Sequence, residues 1–472
     1  MTHLIRQQHL SVDFQGTEPE LAALQRRLQR FCHECLLPAM EITLDRHSTE
    51  DQHLYLERLD LDVGQLPIER LEYDLAGSIT RALENSLKDK LSRPRGAEQK
   101  SSQQALSEVF LYFLEAGYLP WWFRLPEGSD LEQVILRQWQ KMDPSGTDSR
   151  MLREAAPRLL ASASTRRRLV LQFSGSFLKN FLDLLAPGTA EAAGTVRLKL
   201  HDSSLPPAAV KQFLQMVWEA ACEGLAEGGI ASELDLVAKA WRRLADYESA
   251  RRTMTRELEI LWPGVTRPAK GAIDPDTGNE PMVDKWAAPK KTSQCTDKID
   301  RAADAAVTEG IYIDNAGLVL LHPFLPKLFE AMQIAQGDRL LQPERAICLL
   351  HHLATGSVKA PEYLVMLPKI LCNIDLQTPV ESEMALTSDE QQECLALLEA
   401  VIRHWGALGS CSPDALRGTF LLRPGKLTLR QDGEWLLQVE SSGCDILLDE
   451  LPWSISMIRL PWMGSMLWVE WT

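Results

Sequence analysis

Between Pro263 and Asp300 the chain carries prolines at 263, 268, 275, 281 and 289, interspersed with Asp, Lys, Gly and Thr. Proline fixes φ and lacks the amide donor, so neither a helix interior nor a central strand runs through such a stretch. Few residues there could fill a core. The chain has 472 residues, more than one hydrophobic core usually serves. This segment is its clearest boundary and predicts a linker at 263–305, with a separate C-terminal domain at 306–472.

Upstream, the apolar period changes along the chain. His9–Phe14 alternates with period two and stops before Gly16, as a half-buried strand does. From Glu20 to Leu44 the apolar residues Leu21, Leu24, Leu28, Phe31 and Cys35 fall at helical spacing, with Thr17 as N-cap and Glu20 three residues on. Leu54–Gly64 alternates again, and Pro67–Leu91 is a second amphipathic helix. The pattern predicts a strand–helix–strand–helix α+β domain at 1–91, followed by a polar linker from Ser92 to Gln104.

Residues 105–262 are expected to be a helical middle region, with helices at 105–116, 130–142, 150–162, 165–186, 206–225 and 231–260. The C-terminal domain opens with a β-like Ile311–Ile313 and continues in helices at about 326–332, 343–355, 361–372 and 387–407. A hairpin turning at Asp432-Gly433 joins 426–430 to 435–440, and further strands are expected at 445–448, 453–460 and 466–471. The fold class is therefore mainly α with α+β terminal domains, ending in antiparallel strands.

A net charge of −15 argues against nucleic acid as the main partner. The basic runs Thr165–Arg168, Arg93–Arg95 and Lys290-Lys291 read as solvated faces. No apolar run reaches about 18 residues, so no membrane span is expected. The polar N-terminus shows no signal peptide. Nine cysteines without a repeating spacing do not form a disulfide framework, and the cytoplasm is the expected compartment.

Reactive chemistry is sparse. Cys32-His33-Glu34-Cys35 lacks a second ligand pair, and the position needed for a zincin's second histidine is Leu37. Cys35 falls on the apolar face, so packed thiols are the better reading. Cys348, His351 and His352 share one helical turn, but adjacent histidines point about 100° apart. Asp60 and Asp62 share the outward face of a strand pattern. Phosphate-binding loops and nucleophile elbows are missing from the sequence. No enzyme, cofactor or metal site is expected.

Six of the thirteen tryptophans lie from Trp405 onward, two of them in repeated Leu-Pro-Trp tripeptides ending at Trp453 and Trp462. A third copy ends at Trp121 and is followed by Trp122. An indole behind a fixed backbone is a rigid apolar knob with one N–H to satisfy, which either closes a core or docks on another chain. The candidate partner contacts are Trp121, Trp122, Trp453, Trp462, Trp468 and Trp471. The last two are three residues apart, which on a strand places them on opposite faces.

Whole stretches resemble the tape measure proteins of extracellular, phage-tail-like contractile injection systems. They include Ile5–Val12, Leu56–Gly64, Phe113–Trp122, Asn315–Leu325, Arg345-Ala346 with Leu349–His351, and Lys369–Cys372. His404-Trp405, Leu416-Arg417, Phe420-Leu421 and the segments Leu451–Trp453 and Leu460–Met463 complete the set. The resemblance covers about 1–125 and 306–472. It implies a structural role in setting inner-tube length, with tube, baseplate or hub, and cap proteins as neighbours. Assembly would begin in the cytoplasm and end inside the particle. An assembly chaperone, or a cap- or baseplate-associated component that does not measure length, is the alternative.

Overall fold

A computed structural model describes residues 3–471 except 6–7, 48–51, 57, 67–69, 93–97, 127, 144–145, 245–247 and 267–309. The chain forms two compact units, Met1–Phe110 with Trp121–Asp148, and Leu111–Pro120 with Ser149–Thr472.

The first unit is built on a long helix interrupted by one wide turn: α1 (Glu18–Phe31), a π-turn (Cys32–Leu36) and α2 (Leu37–His47). At its start the Glu20 carboxylate accepts from the Thr17 amide at 2.8 Å and the Thr17 hydroxyl at 2.7 Å. Pro38 cannot donate to the carbonyl four residues back, and the wide turn falls directly before it, with Leu37 N–H bonded to Cys32 O. The extra residue shifts the apolar face. Leu36 is buried and Cys35 exposed, which corrects the placement of Cys35 on the core side.

In α3 (Leu71–Ser92), Leu75, Ile79, Leu83 and Leu87 are buried, as the helical spacing requires. Strand β1 (Gln52–Tyr55) pairs antiparallel with β2 (Glu98–Ser101). The polar stretch expected as a linker from 92 to 104 therefore holds a strand, and α4 (Ser102–Ala116) starts within it. Two expected strands change. Residues 9–14 are not in a strand, and the second alternating segment is a strand only over its first residues. A short helix, α5 (Leu131–Trp139), is capped by Asp130 on the Glu132 amide at 3.1 Å and sets Trp139 edge-on to Phe110.

In the second unit α6 (Thr147–Leu159), α7 (Ala163–Gln172), α8 (Gly175–Leu185) and α9 (Pro187–His201) lead into α10 (Pro207–Ala226), α11 (Glu233–Arg243) and α12 (Glu248–Leu261). The helix expected over 165–186 is split, because Ser174 caps a new helix at the Phe177 amide. Helix α9 was not expected. Pro187 stands at its first turn, where a missing N–H costs nothing. The helix expected over 231–260 is two. Beyond residue 266 the segment expected as a proline-rich linker lies outside the described residues, as do Lys290-Lys291 and Arg93–Arg95.

The C-terminal part carries a five-stranded sheet in the order β3 (Ile311–Ile313), β6 (Gly425–Leu429), β7 (Trp435–Val439), β9 (Leu467–Trp471), β8 (Met457–Ile458). Strands β4 (Ala335–Gln336) and β5 (Arg339–Leu340) form a separate small hairpin. The β6–β7 hairpin turns at Gly433, whose φ of +82° suits glycine. β7 and β9 run parallel, so the sheet is mixed, and residues 445–448 lie in a 3₁₀ helix instead of a strand. Helices Leu325–Ala331, Pro343–Thr355, Met366–Leu371 and Ser388–His404 pack with the sheet around one continuous core. Gly317 is pressed against the chain at Phe420, whose carbonyl oxygen would lie 1.7 Å from an added Cβ. The fold is mainly α with a mixed sheet at its C-terminal end.

Candidate functional site

Within the second unit three ionisable side chains, Arg168, Glu362 and Lys369, meet where solvent does not reach. Arg168 comes from α7, Glu362 from a 3₁₀ turn (Glu362–Leu364) and Lys369 from the helix that follows. Glu362 accepts from Arg168 Nε at 3.0 Å through Oε2 and from Lys369 Nζ at 2.6 Å through Oε1. Two cations share one carboxylate, and carbonyl oxygens meet the rest. Arg168 donates to Leu114 O at 2.6 Å, Glu115 O at 3.0 Å and Gln377 O at 2.8 Å, and Lys369 donates to Leu376 O at 2.9 Å.

Leu114 and Glu115 belong to the last turn of α4, whose terminal carbonyls lack helical donors and carry the negative end of the helix dipole. A guanidinium is the right shape to collect them. Burial holds the Lys369 ammonium below its ordinary range, and the Glu362 charge works against that shift. Gln172, one turn along from Arg168, receives the Glu362 amide at 2.8 Å and donates to Val380 O at 2.7 Å. Ser382 Oγ donates to Leu171 O at 3.0 Å. The segment 362–382 is thus strapped along α7 by polar bonds at several points.

Gly117 completes the cluster. Its φ is +83°, and a Cβ there would stand 2.8 Å from Glu362 Oε1 and 3.0 Å from Arg168 Nη2. Two stretches that carry the family resemblance, Phe113–Trp122 and Lys369–Cys372, therefore meet at one site. Sequence reasoning missed Arg168 because it sits in a basic run read as a solvated face. The run divides: Arg167 is exposed, Arg166 donates to Leu160 O and Ala161 O at the end of α6, and Arg168 is wholly buried. The apolar Leu169-Val170 directly after it was the available signal.

The tryptophans serve different purposes. Trp462 is buried, donates to Leu371 O at 2.8 Å and stacks on Phe329. Trp453 is half-buried, donates to Leu320 O at 3.1 Å and stands edge-on to Phe324. Both Leu-Pro-Trp knobs thereby close the core. Trp468 and Trp471 lie on opposite faces of β9. Trp471 shares the side of buried Leu467 and Val469 and lies under the Arg423 guanidinium, which also pairs with Asp445. Trp468 is on the outer face beside Met457 and Leu436, bonded to Glu434 and covered by Arg430. In the first unit Trp121 and Trp122 are both half-buried, and Trp122 stands edge-on to Phe123.

Cysteine and histidine positions show no reactive assembly among the described residues, where no cluster able to hold a metal ion occurs. Burial pushes the Cys348 and Cys394 thiols up to about 12, so they stay protonated and unreactive. His351 is buried, and burial brings its pKa down to about 4. Among the described residues no helix is long and apolar enough to cross a membrane.

The strapped segments, the buried ion cluster and the tryptophan-closed core edges hold the second unit together. The family model for contractile injection system tape measure proteins matches residues 2–471, and the chain belongs to that family. No curated protein matches it significantly, nor does any solved structure. The family is structural and is not a family of enzymes.

Proposed function

We propose that this tape measure protein sets inner-tube length through contacts with tube, baseplate or hub, and cap proteins, working inside the particle after assembly in the cytoplasm. Family membership over nearly the whole chain carries this reading. The outer face around Trp468, with Met457 53% and Tyr312 39% exposed, supplies apolar surface for such contacts. Trp121 and Trp122 offer a second, smaller one. Trp453, Trp462 and Trp471 were candidates too, and they would reach a partner only through their exposed edges.

Assembly control without measurement is favoured by one observation. Helices α6–α12 are short, the longest being α10 with 20 residues. Such a helix spans about 30 Å at ~1.5 Å per residue, far less than one continuous helix would. Electron microscopy of particles with in-frame duplications and deletions in 267–305 separates the two readings. Tube lengths stepping with residue number are expected of a ruler. Unchanged lengths at normal yield would assign the chain to chaperone or cap work.

A further inference from the structure

In the first unit, residues 58–63 read Arg-Leu-Asp-Leu-Asp-Val. Leu59, Leu61 and Val63 are half-buried, the last two against Phe31, Leu36, Leu75 and Ile79, while Arg58, Asp60 and Asp62 are exposed. That alternation is a strand's, laid on helices. Ladder bonds are nevertheless missing: among the described residues none of 58–63 makes a backbone–backbone hydrogen bond. Their polar contacts are local, Arg58 Nε to Asp60 Oδ1 at 2.9 Å and Gly64 N to Asp62 Oδ1 at 2.9 Å.

A second such segment lies at 9–13, His-Leu-Ser-Val-Asp. It alternates in sequence, makes no backbone–backbone bond among the described residues, and leaves Leu10 40% and Val12 47% exposed. The two segments complement each other in one antiparallel register. Setting His9 opposite Asp62 and Asp13 opposite Arg58 brings Leu10 to Leu61, Val12 to Leu59 and Ser11 to Asp60. Apolar pairs then share one face, and the other sets Asp13 against Arg58 with His9 and Ser11 placed to donate to Asp62 and Asp60, a favourable cross-strand arrangement. A parallel alignment of Leu10 with Leu59 sets Asp13 against Asp62 and His9 against Arg58. Sliding the antiparallel register by two residues sets Asp13 against Asp60.

We propose that the pairing forms between copies of this chain: residues 9–13 of one copy add as a strand along residues 58–62 of a second, and reciprocally. Both segments belong to the same unit and remain unpaired there, so the chain alone leaves two matched edges open. A reciprocal exchange is self-complementary and closes with two-fold symmetry. Main-chain bonds provide affinity and the alternate side chains provide register. The pairing is independent of how tube length is set.

The test mixes two full-length variants of different tag size, Ser11→Cys and Asp60→Cys, under mild oxidation. Both positions are exposed, so folding is preserved. A disulfide-linked heterodimer is expected on non-reducing gels, above the background that the unsubstituted chain gives through its native thiols. Leu10→Asp with Val12→Asp should weaken self-association at least tenfold by sedimentation. No heterodimer from the mixture would overturn the proposal. So would a double variant that forms only an intra-chain link, which would assign the same ladder to a single copy.

Discussion

Arg168 Nε lies 3.0 Å from Glu362 Oε2, across 194 residues of sequence, and neither side chain is reached by solvent. Breaking a buried pair by removing one partner costs about 3–5 kcal/mol, because a charge is left without its counter-ion. Here Glu362→Gln strands two cations, so its cost belongs at the upper end of that range. Lys369→Met removes only the surplus cation and leaves Arg168 paired. Urea denaturation should therefore rank Glu362→Gln well below Lys369→Met in stability; the reverse order would sink this account of the cluster.

Gly117 and Gly433 form a matched pair for testing the cluster's geometry. Their φ angles are +83° and +82°, but only Gly117 has atoms in the way of a Cβ. Alanine at either site carries strain of about 1–3 kcal/mol. Gly117→Ala must also displace Glu362 Oε1 or Arg168 Nη2. Its midpoint of denaturation should fall below that of Gly433→Ala, and equal midpoints would mean the cluster tolerates the intrusion.

Trp462 and Trp468 separate packing from docking. Trp462→Ala removes a buried, stacked and hydrogen-bonded indole, which should cost about 3–5 kcal/mol. Trp468→Ala, on the outer face, should leave the fold largely intact while lowering the yield of assembled particles. Circular dichroism melts alongside particle counts distinguish the two outcomes. Normal assembly by a Trp468→Ala protein would remove this face from the list of contacts.

Acid should destabilise the second unit through His351. Its folded pKa of about 4 lies below the ordinary 6.5 because burial disfavours the charged ring. Below pH 6.5 the unfolded chain binds the proton and the folded chain does not, so stability falls as pH drops toward 4 and is unaffected above about 7. Burial lowers His322 and His352 as well and adds in the same direction. His351→Gln should flatten the slope of stability against pH between 6.5 and 4. An unchanged slope would show that other groups govern it.

Much of the architecture follows from local pattern. Helical spacing places Leu75, Ile79, Leu83 and Leu87 on the buried face of α3, and Asp432-Gly433 makes the hairpin turn because glycine alone adopts its φ without strain. The three-residue gap between Trp468 and Trp471 puts them on opposite faces of a strand by pleat geometry. Spacing was misleading where one residue changes the phase. The π-turn before Pro38 moved Cys35 outward.

What local pattern determined, then, were the elements and their apolar faces, since propensity, capping and periodicity act within a few residues. Tertiary structure alone decided that Arg168 is buried and its neighbour Arg167 exposed, that β7 and β9 run parallel, and that Trp462 closes a core. Each of these depends on partners far away in sequence. A charge enters the interior only where a counter-ion and carbonyl acceptors converge on it, and that convergence exists only once the chain has folded.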